Sequence, residues 1–212
     1  MKTPPIDIWA DFVGTRGAFS CCEAIALYDI VSNVEQGDFI ELGSHRGRSS
    51  ICIASGMPSV SRLFLVEPEF KNTEWSQDVL TKVMRWMPKN NLLQGYGAGS
   101  LDVLPLFNEI SFCFIDSGTH SDDLVMNESK MLEDRVISGG VIAYHDKGSQ
   151  FTKVDEAYEY LLSTGKYDAI TIDWESIFLY VKENDLQDGE LSWHKYPDLP
   201  HPPNFLGALR RK

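Results

Sequence analysis

The chain has 212 residues, of which 43% are hydrophobic, and it carries a formal net charge of -12 at pH 7. This length suits one domain with a full core, or a compact domain with terminal extensions. Binding to nucleic acid depends on clustered Lys and Arg, so the acidic balance argues against a nucleic-acid partner.

Cysteine usage and the N-terminal segment bear on the expected location. The four cysteines lack metal-ligand spacing, and two of them are neighbours that would pair poorly with each other. The first residues include Pro and Asp where a signal peptide would be apolar, and no apolar run is long enough to span a membrane. We therefore expect a cytoplasmic protein without a membrane partner, and the sequence leaves a homo-oligomer open.

Helical and strand patterns alternate through the first half of the chain. Residues 19–33 carry apolar side chains at i, i+3, i+4 and i+7, which predicts a helix. The run FIEL at 39–42 predicts a buried strand, followed by a loop and a helix over about 48–55. The short apolar run 63–66 predicts a second strand, and the apolar stripe that follows predicts a helix ending before Pro88.

The alternation continues to the C-terminal region. The segment NLLQGYGAGS predicts a brief third strand, SFCFID at 111–116 a fourth, and VIAYHD at 141–146 a fifth, with a helix before the fifth. An apolar stripe over 154–161 predicts another helix. Residues 167–184 predict two final strands joined by a tight turn at 174–176.

These patterns together predict the fold class and the domain organisation. Strands that are apolar throughout and alternate with helices indicate a parallel sheet covered on both faces. We expect a doubly wound, Rossmann-like α/β fold with seven strands, mostly parallel but ending in an antiparallel hairpin. An N-terminal arm (1–18), a main domain (19–183) and a Pro- and aromatic-rich tail (184–212) are predicted, the tail being a packing or dimer element or a substrate lid. The final basic run, 210–212, is expected to be a frayed, solvated end.

The loop after the first predicted strand, GSHRGRS, departs from two phosphate-binding motifs. A P-loop has four residues between its first Gly and Gly-Lys-Ser/Thr, whereas this loop has three, and Arg in place of Lys. A dinucleotide fingerprint has a glycine where this loop has His45. The loop therefore indicates a ligand without phosphates at this end. Glu67, which follows the second strand, would flank the same crevice, where a carboxylate can accept both hydroxyls of a ribose.

Four segments in order, FIELGSHRGRSS, LFLVEP, FCFIDSGTHSDD and ISGGVIAYHD, resemble successive motifs of class I S-adenosylmethionine-dependent methyltransferases. The resemblance covers roughly residues 20–182 and is nearest to the small-molecule O-methyltransferase-like branch. It implies transfer of a methyl group to a hydroxyl of a small-molecule or sugar-containing acceptor. It also implies a set of cofactor-binding residues, namely Glu41, Gly43, Ser44, Gly47, Ser49, Glu67, Ser100 and Asp116.

Within that implied set, Glu41, Ser44 and the two glycines would hold the methionine part and Glu67 the ribose. The bend at Gly99 and Ser100 would face the adenine. Four of the residues keep a structural alternative, which for Gly43 and Gly47 is that of turn residues alone. Glu41 has the alternative of a carboxylate that caps or braces the loop, and Glu67 that of a solvated strand end.

Methyl transfer requires an aligned acceptor and, for a hydroxyl, removal of its proton. The catalytic candidates are His120, Asp116 and Asp146. His120 follows the fourth strand and suits a general base, with structural support of its loop as the alternative; its loop, DSGTH, is one residue longer than the family's D-G-x-H. Asp116 and Asp146 end adjacent strands about 4.8 Å apart, so they can converge on Mg²⁺, with His145 as a third candidate ligand. An ammonium group at Lys147 would oppose a dication there.

Two other functions remain open from the sequence. A non-catalytic module that binds S-adenosylmethionine is favoured by the altered loop after the fourth strand and by Lys147. An NAD-type oxidoreductase is disfavoured by the missing central glycine of the first loop.

Overall fold

Seven strands form one mixed sheet in the order β3-β2-β1-β4-β5-β7-β6 in the computed structural model, which describes residues 1–118, 123–186 and 205–212. The neighbours among β1 to β5 are parallel, whereas β7 runs antiparallel to both β5 and β6. The predicted fold class is confirmed. The strands are β1 (Asp38–Leu42), β2 (Arg62–Val66), β3 (Leu92–Tyr96), β4 (Ile110–Ile115), β5 (Val136–Tyr144), β6 (Tyr167–Ala169) and β7 (Gly207–Arg211).

Helices cover both faces of this sheet. Neighbouring strand residues point to opposite sides, so strands that are apolar throughout must be buried on both faces. Phe39 packs in one apolar cluster with α1 to α4 and α8, and the next residue, Ile40, packs in a second cluster with α5 to α7. In the described residues the helices are α1 (Ile8–Gly14), α2 (Cys21–Val31), α3 (Arg48–Gly56), α4 (Thr73–Trp86), α5 (Ser100–Val103), α6 (Leu124–Leu132), α7 (Thr152–Ser163) and α8 (Trp174–Glu183). None of these helices has the length and apolar character needed to cross a membrane.

Local sequence fixes the start of α2, which matters for the site described below. Ser20 precedes the helix, and its hydroxyl accepts a hydrogen bond from the Glu23 backbone N–H at 3.1 Å. The Glu23 carboxylate in turn accepts from the Ser20 backbone N–H at 2.8 Å. This reciprocal capping box holds a buried carboxylate at the N-terminus of α2.

The prediction of two strands over 167–184 is wrong in its second half. Residues from Trp174 onward form α8, and the expected tight turn is the first turn of this helix. Asp173 caps it by accepting from the Ser176 N–H at 3.1 Å, and Ile177 and Val181, four residues apart, bury one face. The apolar run was compatible with either element, and packing against α2 selects the helix.

The seventh strand comes instead from the end of the chain, so the prediction of a frayed basic end is also wrong. Gly207–Arg211 inserts between β5 and β6, and the Arg211 guanidinium donates to the Val136 carbonyl. Lys212 Nζ lies 3.0 Å from Asp168. Most of the predicted tail, 187–204, lies outside the described residues, so its role as an arm or a lid stays a prediction, as do the predicted domain boundaries.

The fifth strand begins earlier than predicted, because its pairing with β4 is irregular. Ile110 pairs with Val136, but Phe112 pairs with Val141, which leaves extra residues on β5. Gly139 takes a φ of 81° within this irregularity. The predicted strand 141–146 therefore corresponds to the regular second half of β5 and the two residues after it.

Candidate active site

A cavity of about 990 Å³ lies beyond the carboxyl ends of the strands, around the point between β1 and β4 where the strand order reverses. Open α/β sheets bind ligands at such switch points, and this volume is at the upper end of the usual range for small-molecule sites. The loops after β1, β2, β4 and β5 line it, together with the start of α5 and the connection between α1 and α2. The cavity therefore has room for more than one small ligand.

The loop after β1 packs its backbone directly against the end of β4. Gly43 has a φ of 90°, and a Cβ atom at this position would lie 2.1 Å from the Asp116 carbonyl oxygen. The Gly43 N–H donates to Val66 O at 2.9 Å, and the Asp116 N–H donates to Leu42 O at 2.8 Å. Only glycine fits here, since any side chain would force two strand ends apart. The loop thus brings bare backbone to the cavity wall.

Glu41 lies behind this loop and is fully buried in β1. Its carboxylate accepts from the Ser49 hydroxyl at 2.5 Å and from the Ser50 hydroxyl, both on α3. Burial raises the pKa of Glu41 to about 7, although the hydroxyls of Ser49, Ser50 and Ser44 act in the opposite direction. Gly43, Ser44 and Ser49 line the cavity, whereas Glu41 and Gly47 are not part of its lining. In the structure Glu41 links β1 to α3, and its predicted role in holding the cofactor stays a prediction.

Glu67 follows β2 and lines the cavity while only 9% exposed. Its two oxygens accept from backbone N–H groups, from His45 at 2.8 Å and from Glu69 at 3.2 Å. A carboxylate offers about four acceptor positions, so two remain for a ligand. Glu67 therefore has a fixed orientation in the crevice and is not a solvated strand end.

Trp75 supports the same loop, a role that the sequence did not reveal. Its indole N–H donates to the His45 carbonyl at 3.1 Å, and the Arg46 guanidinium carbon lies 4.0 Å from its ring centroid. His45 has a positive φ of 40°, a conformation that costs energy in a non-glycine residue. The sequence pattern placed Trp75 on the apolar stripe of α4, which gave no sign of this contact.

Three predicted metal-site residues meet where β4 and β5 end. The imidazole Nδ1 of His145 lies 3.0 Å from an Asp116 oxygen and 3.4 Å from an Asp146 oxygen. One ligand atom from each of the three residues falls within 4.8 Å of the others. Two carboxylates and an imidazole are a donor set that fits a divalent cation. Lys147 turns away from this cluster, with its Nζ 3.1 Å from Asp155.

Glu23 stands on the other side of His145 and was missed at the sequence level. Its Oε1 lies 3.7 Å from His145 Nε2, and the same oxygen accepts from the Phe205 backbone N–H at 2.9 Å. Burial by itself lowers the pKa of His145, but the carboxylates of Asp116 and Glu23 raise it well above the ordinary range. Burial raises the pKa of Glu23, yet His145 and the N–H groups of Ser20 and Phe205 bring it below its usual value.

Ser117 and Glu128 form a second pair that the sequence did not reveal. Ser117 lines the cavity, and its hydroxyl donates to the Glu128 carboxylate, at 2.6 and 2.7 Å from the two oxygens. Glu128 is fully buried on α6, where its position in a helical stretch gave no functional signal. The pair ties the loop after β4 to α6.

The remaining predicted site residues are Gly99 and Ser100, which the structure describes, and His120, which lies outside the described residues. Gly99 and Ser100 line the cavity at the start of α5, on the side of Glu67. His120 lies in 119–122, outside the described residues, so its predicted role as general base stays a prediction.

Comparisons with known proteins bear on what this cavity does. A family model described as a methyltransferase domain matches residues 40–147, from β1 to the loop after β5. No curated protein sequence matches the chain.

Solved structures share the fold at low sequence identity. An O-methyltransferase from Bacillus cereus in complex with S-adenosylhomocysteine is 12% identical, with a TM-score of 0.62 over 98% of this chain and 92% of that one. The O-methyltransferase TomG from Streptomyces achromogenes, involved in tomaymycin synthesis and in complex with S-adenosylmethionine, is 13% identical, with a TM-score of 0.58 over 91% and 79%. An rRNA methylase from Streptococcus thermophilus is 12% identical, with a TM-score of 0.54 over 89% and 93%. Since the family model spans just over half of the chain, including the strand ends that build the cavity, the protein belongs to the methyltransferase-domain family.

Proposed function

We propose that this protein transfers a methyl group from S-adenosylmethionine to a hydroxyl of a small-molecule or sugar-containing acceptor. The observation that carries the proposal is the position of Glu67. Its carboxylate lines the cavity and is fixed by two backbone N–H groups, one of them from His45 in the loop whose Gly43 turn only glycine can form. A carboxylate held in this way would accept the hydroxyls of a ribose, and the bare backbone of the loop would suit an amino-acid tail without phosphate.

The residues around the cavity fit the cofactor. Ser44 and Ser49, with the Gly43 backbone, would hold its methionine part, Glu67 its ribose hydroxyls, and the turn at Ser100 its adenine. When bound, S-adenosylmethionine supplies a methyl group on a positively charged sulfur. The protein contributes rigidity, because Glu41 and Trp75 hold the loop from behind, and rigid positioning favours an in-line displacement.

The acceptor would lie by Asp116, His145 and Asp146, which line the same cavity away from Glu67. The Asp116 and Asp146 side chains are 25% and 16% exposed. Without a bound cation they would take the proton of an acceptor hydroxyl, and His120 remains the predicted general base. The same two carboxylates and His145 would hold a divalent cation, which lowers the pKa of a coordinated hydroxyl when bound.

A small acceptor is favoured over nucleic acid by the net charge of -12, since phosphate backbones are bound through clustered cations. Cytoplasmic location and a homo-oligomeric state stay predictions. Two other functions are to be distinguished from this proposal. A non-catalytic module would bind S-adenosylmethionine without turnover, and an NAD-type oxidoreductase would bind NAD instead.

Thermal denaturation with S-adenosylhomocysteine and with NAD tests the ligand. At about 100 times its Kd a ligand stabilises by about 2.7 kcal/mol, which raises the Tm of a domain of this size by roughly 5 to 10 °C. We expect this shift with S-adenosylhomocysteine and none with NAD. Glu67→Gln should weaken binding roughly 10- to 100-fold, because it removes charged hydrogen bonds, whereas Glu74→Gln on the exposed start of α4 should not. A shift with NAD alone would refute the proposal.

Turnover separates the enzyme from the non-catalytic module. Hydroxyl-bearing acceptors are screened for release of S-adenosylhomocysteine, with and without a divalent cation. Release that depends on acceptor supports the enzyme, and stable cofactor binding without release from any acceptor supports the module.

A further inference from the structure

We propose that Asp116, His145 and Asp146 form a metal site and that Glu23 orients His145 without binding the ion itself. We also propose that this site selects a transition-metal dication such as Mn²⁺ over Mg²⁺. The inference rests on the proposed function, since it places the ion where the acceptor hydroxyl would bind. It adds a positioning residue from α2 and changes the metal that the sequence alone suggested.

The spacing of the three donors suits one ion. Around an octahedral ion with ligands at about 2.1 Å, adjacent ligand atoms lie roughly 3.0 Å apart. In the structure His145 Nδ1 is hydrogen-bonded to the Asp116 oxygen at 3.0 Å and lies 3.4 Å from the Asp146 oxygen, so an ion bound here takes the place of the proton on this nitrogen. All three ligand atoms lie within 4.8 Å of one another, so side-chain movement that brings the two Asp oxygens together would let them share one ion with Nδ1, with the remaining positions left for acceptor and water.

The nitrogen donor sets the metal preference. Mg²⁺ prefers oxygen ligands and gives up its water reluctantly, whereas imidazole nitrogen binds first-row transition metals more strongly. A site of two Asp residues with an Asn or a further acid would offer oxygen alone. Here His145 supplies nitrogen, so the donor set indicates a preference for a first-row transition metal over Mg²⁺.

Glu23 explains how His145 keeps this nitrogen directed at the two Asp residues. A histidine that binds a metal commonly directs its second ring nitrogen to a carboxylate, which fixes the orientation and tautomer of the ring. His145 Nε2 faces Glu23 Oε1 at 3.7 Å, an ion-pair distance longer than a hydrogen bond, so the carboxylate orients the ring by charge. Both Glu23 oxygens are anchored by backbone, one by the Ser20 N–H at 2.8 Å and one by the Phe205 N–H at 2.9 Å.

The surroundings leave this arrangement little freedom. Glu23 is 2% exposed and His145 is 6% exposed, so neither side chain has space to rotate into solvent. The Phe19 ring packs on the imidazole with a centroid distance of 5.3 Å. The imidazole is thus held between the tilted Phe19 ring, a buried carboxylate and the two Asp residues that are candidate metal ligands.

Metal binding is measured on the 212-residue protein after removal of metal with EDTA. Mn²⁺ is titrated while free Mn²⁺ is followed by electron paramagnetic resonance, and Mg²⁺ is then added as competitor. We expect a single Mn²⁺ per chain that Mg²⁺ displaces only in large molar excess. Pulsed measurements on bound Mn²⁺ should show coupling to a nitrogen nucleus, and His145→Asn should remove this coupling and the preference for Mn²⁺.

Glu23→Gln should weaken Mn²⁺ binding by about 10- to 100-fold, the usual effect of losing an outer-shell partner. Ser20→Ala is the matched control, because it removes the other side chain of the same capping box but leaves the contacts of the Glu23 carboxylate. Its Mn²⁺ affinity should equal that of the wild type.

Three results would overturn the inference: no Mn²⁺ bound, bound Mn²⁺ without nitrogen coupling, or a folded Glu23→Gln variant with wild-type affinity. If Glu23→Gln does not fold, the wild-type titration and His145→Asn decide. Binding of S-adenosylhomocysteine to the metal-free wild type is measured alongside. If S-adenosylhomocysteine binds but Mn²⁺ does not, only the metal inference is overturned. If S-adenosylhomocysteine does not bind, the result counts against the proposed function.

Discussion

Replacement of Glu41 by Gln should change the pH dependence of stability in a defined direction. The folded protein holds the pKa of Glu41 at about 7, against an ordinary value of 4.5. A raised carboxyl pKa contributes stability that is full below about pH 4.5 and is lost as the pH rises through about 7. The difference of 2.5 between these values corresponds to about 3 kcal/mol. Gln resembles the protonated carboxyl, so its contribution does not titrate.

Urea denaturation of both proteins from pH 4.5 to pH 8.5 measures this difference. Near pH 4.5 the two should unfold at similar urea concentrations, and by pH 8.5 the Gln variant should be more stable by about 3 kcal/mol. Other groups titrate in both proteins and cancel in the comparison, and Glu74→Gln controls for loss of one surface carboxylate. Parallel curves, or a wild type that gains on the variant as pH rises, would refute the assignment.

Two substitutions test the loop that faces the cavity. Gly43→Ala should destabilise the fold by about 3 kcal/mol or more and abolish the thermal shift with S-adenosylhomocysteine, because the new Cβ would lie 2.1 Å from the Asp116 carbonyl oxygen. Gly165→Ala is the control. Its φ of 70° is similar but the space around it is open, so it should cost only about 1 to 2 kcal/mol. Trp75→Phe removes the N–H donor to His45 and should weaken S-adenosylhomocysteine binding roughly 5-fold, as measured by titration calorimetry. Unchanged binding in Trp75→Phe would mean that the loop holds its shape without the indole.

Elements with a single strong periodicity were predictable from sequence. The apolar runs of β1, β2 and β4 are buried throughout their cores, and α4 ends just before Pro88, as expected. Such elements are decided within a short window by hydrophobic pattern and by local breakers. Their order then places the strand ends, and with them the cavity, at one edge of the sheet.

The C-terminal third was less predictable because tertiary contacts decided it. The segment from Trp174 to Glu183 carries apolar residues compatible with a strand or a helix, and its burial against α2 is a contact between distant parts of the chain. The last strand, Gly207–Arg211, includes two arginines and reads as a solvated end. Its place between β5 and β6 depends on an opening in the sheet that no local pattern encodes.

The two sides of the cavity also differ in whether local sequence patterns or contacts between distant segments determine them. The side with Glu67 is built by two loops, each following a recognisable strand, so its residues could be located from motifs. The side with His145 joins the start of α2, the ends of β4 and β5, and the backbone of Phe205, which lie far apart in sequence. Glu23 therefore reads as an ordinary helix cap until the fold brings it to His145. A substitution at Glu23 should accordingly alter the His145 side while leaving Glu67 and its backbone donors in place, a separation that parallel titrations of Mn²⁺ and S-adenosylhomocysteine would detect.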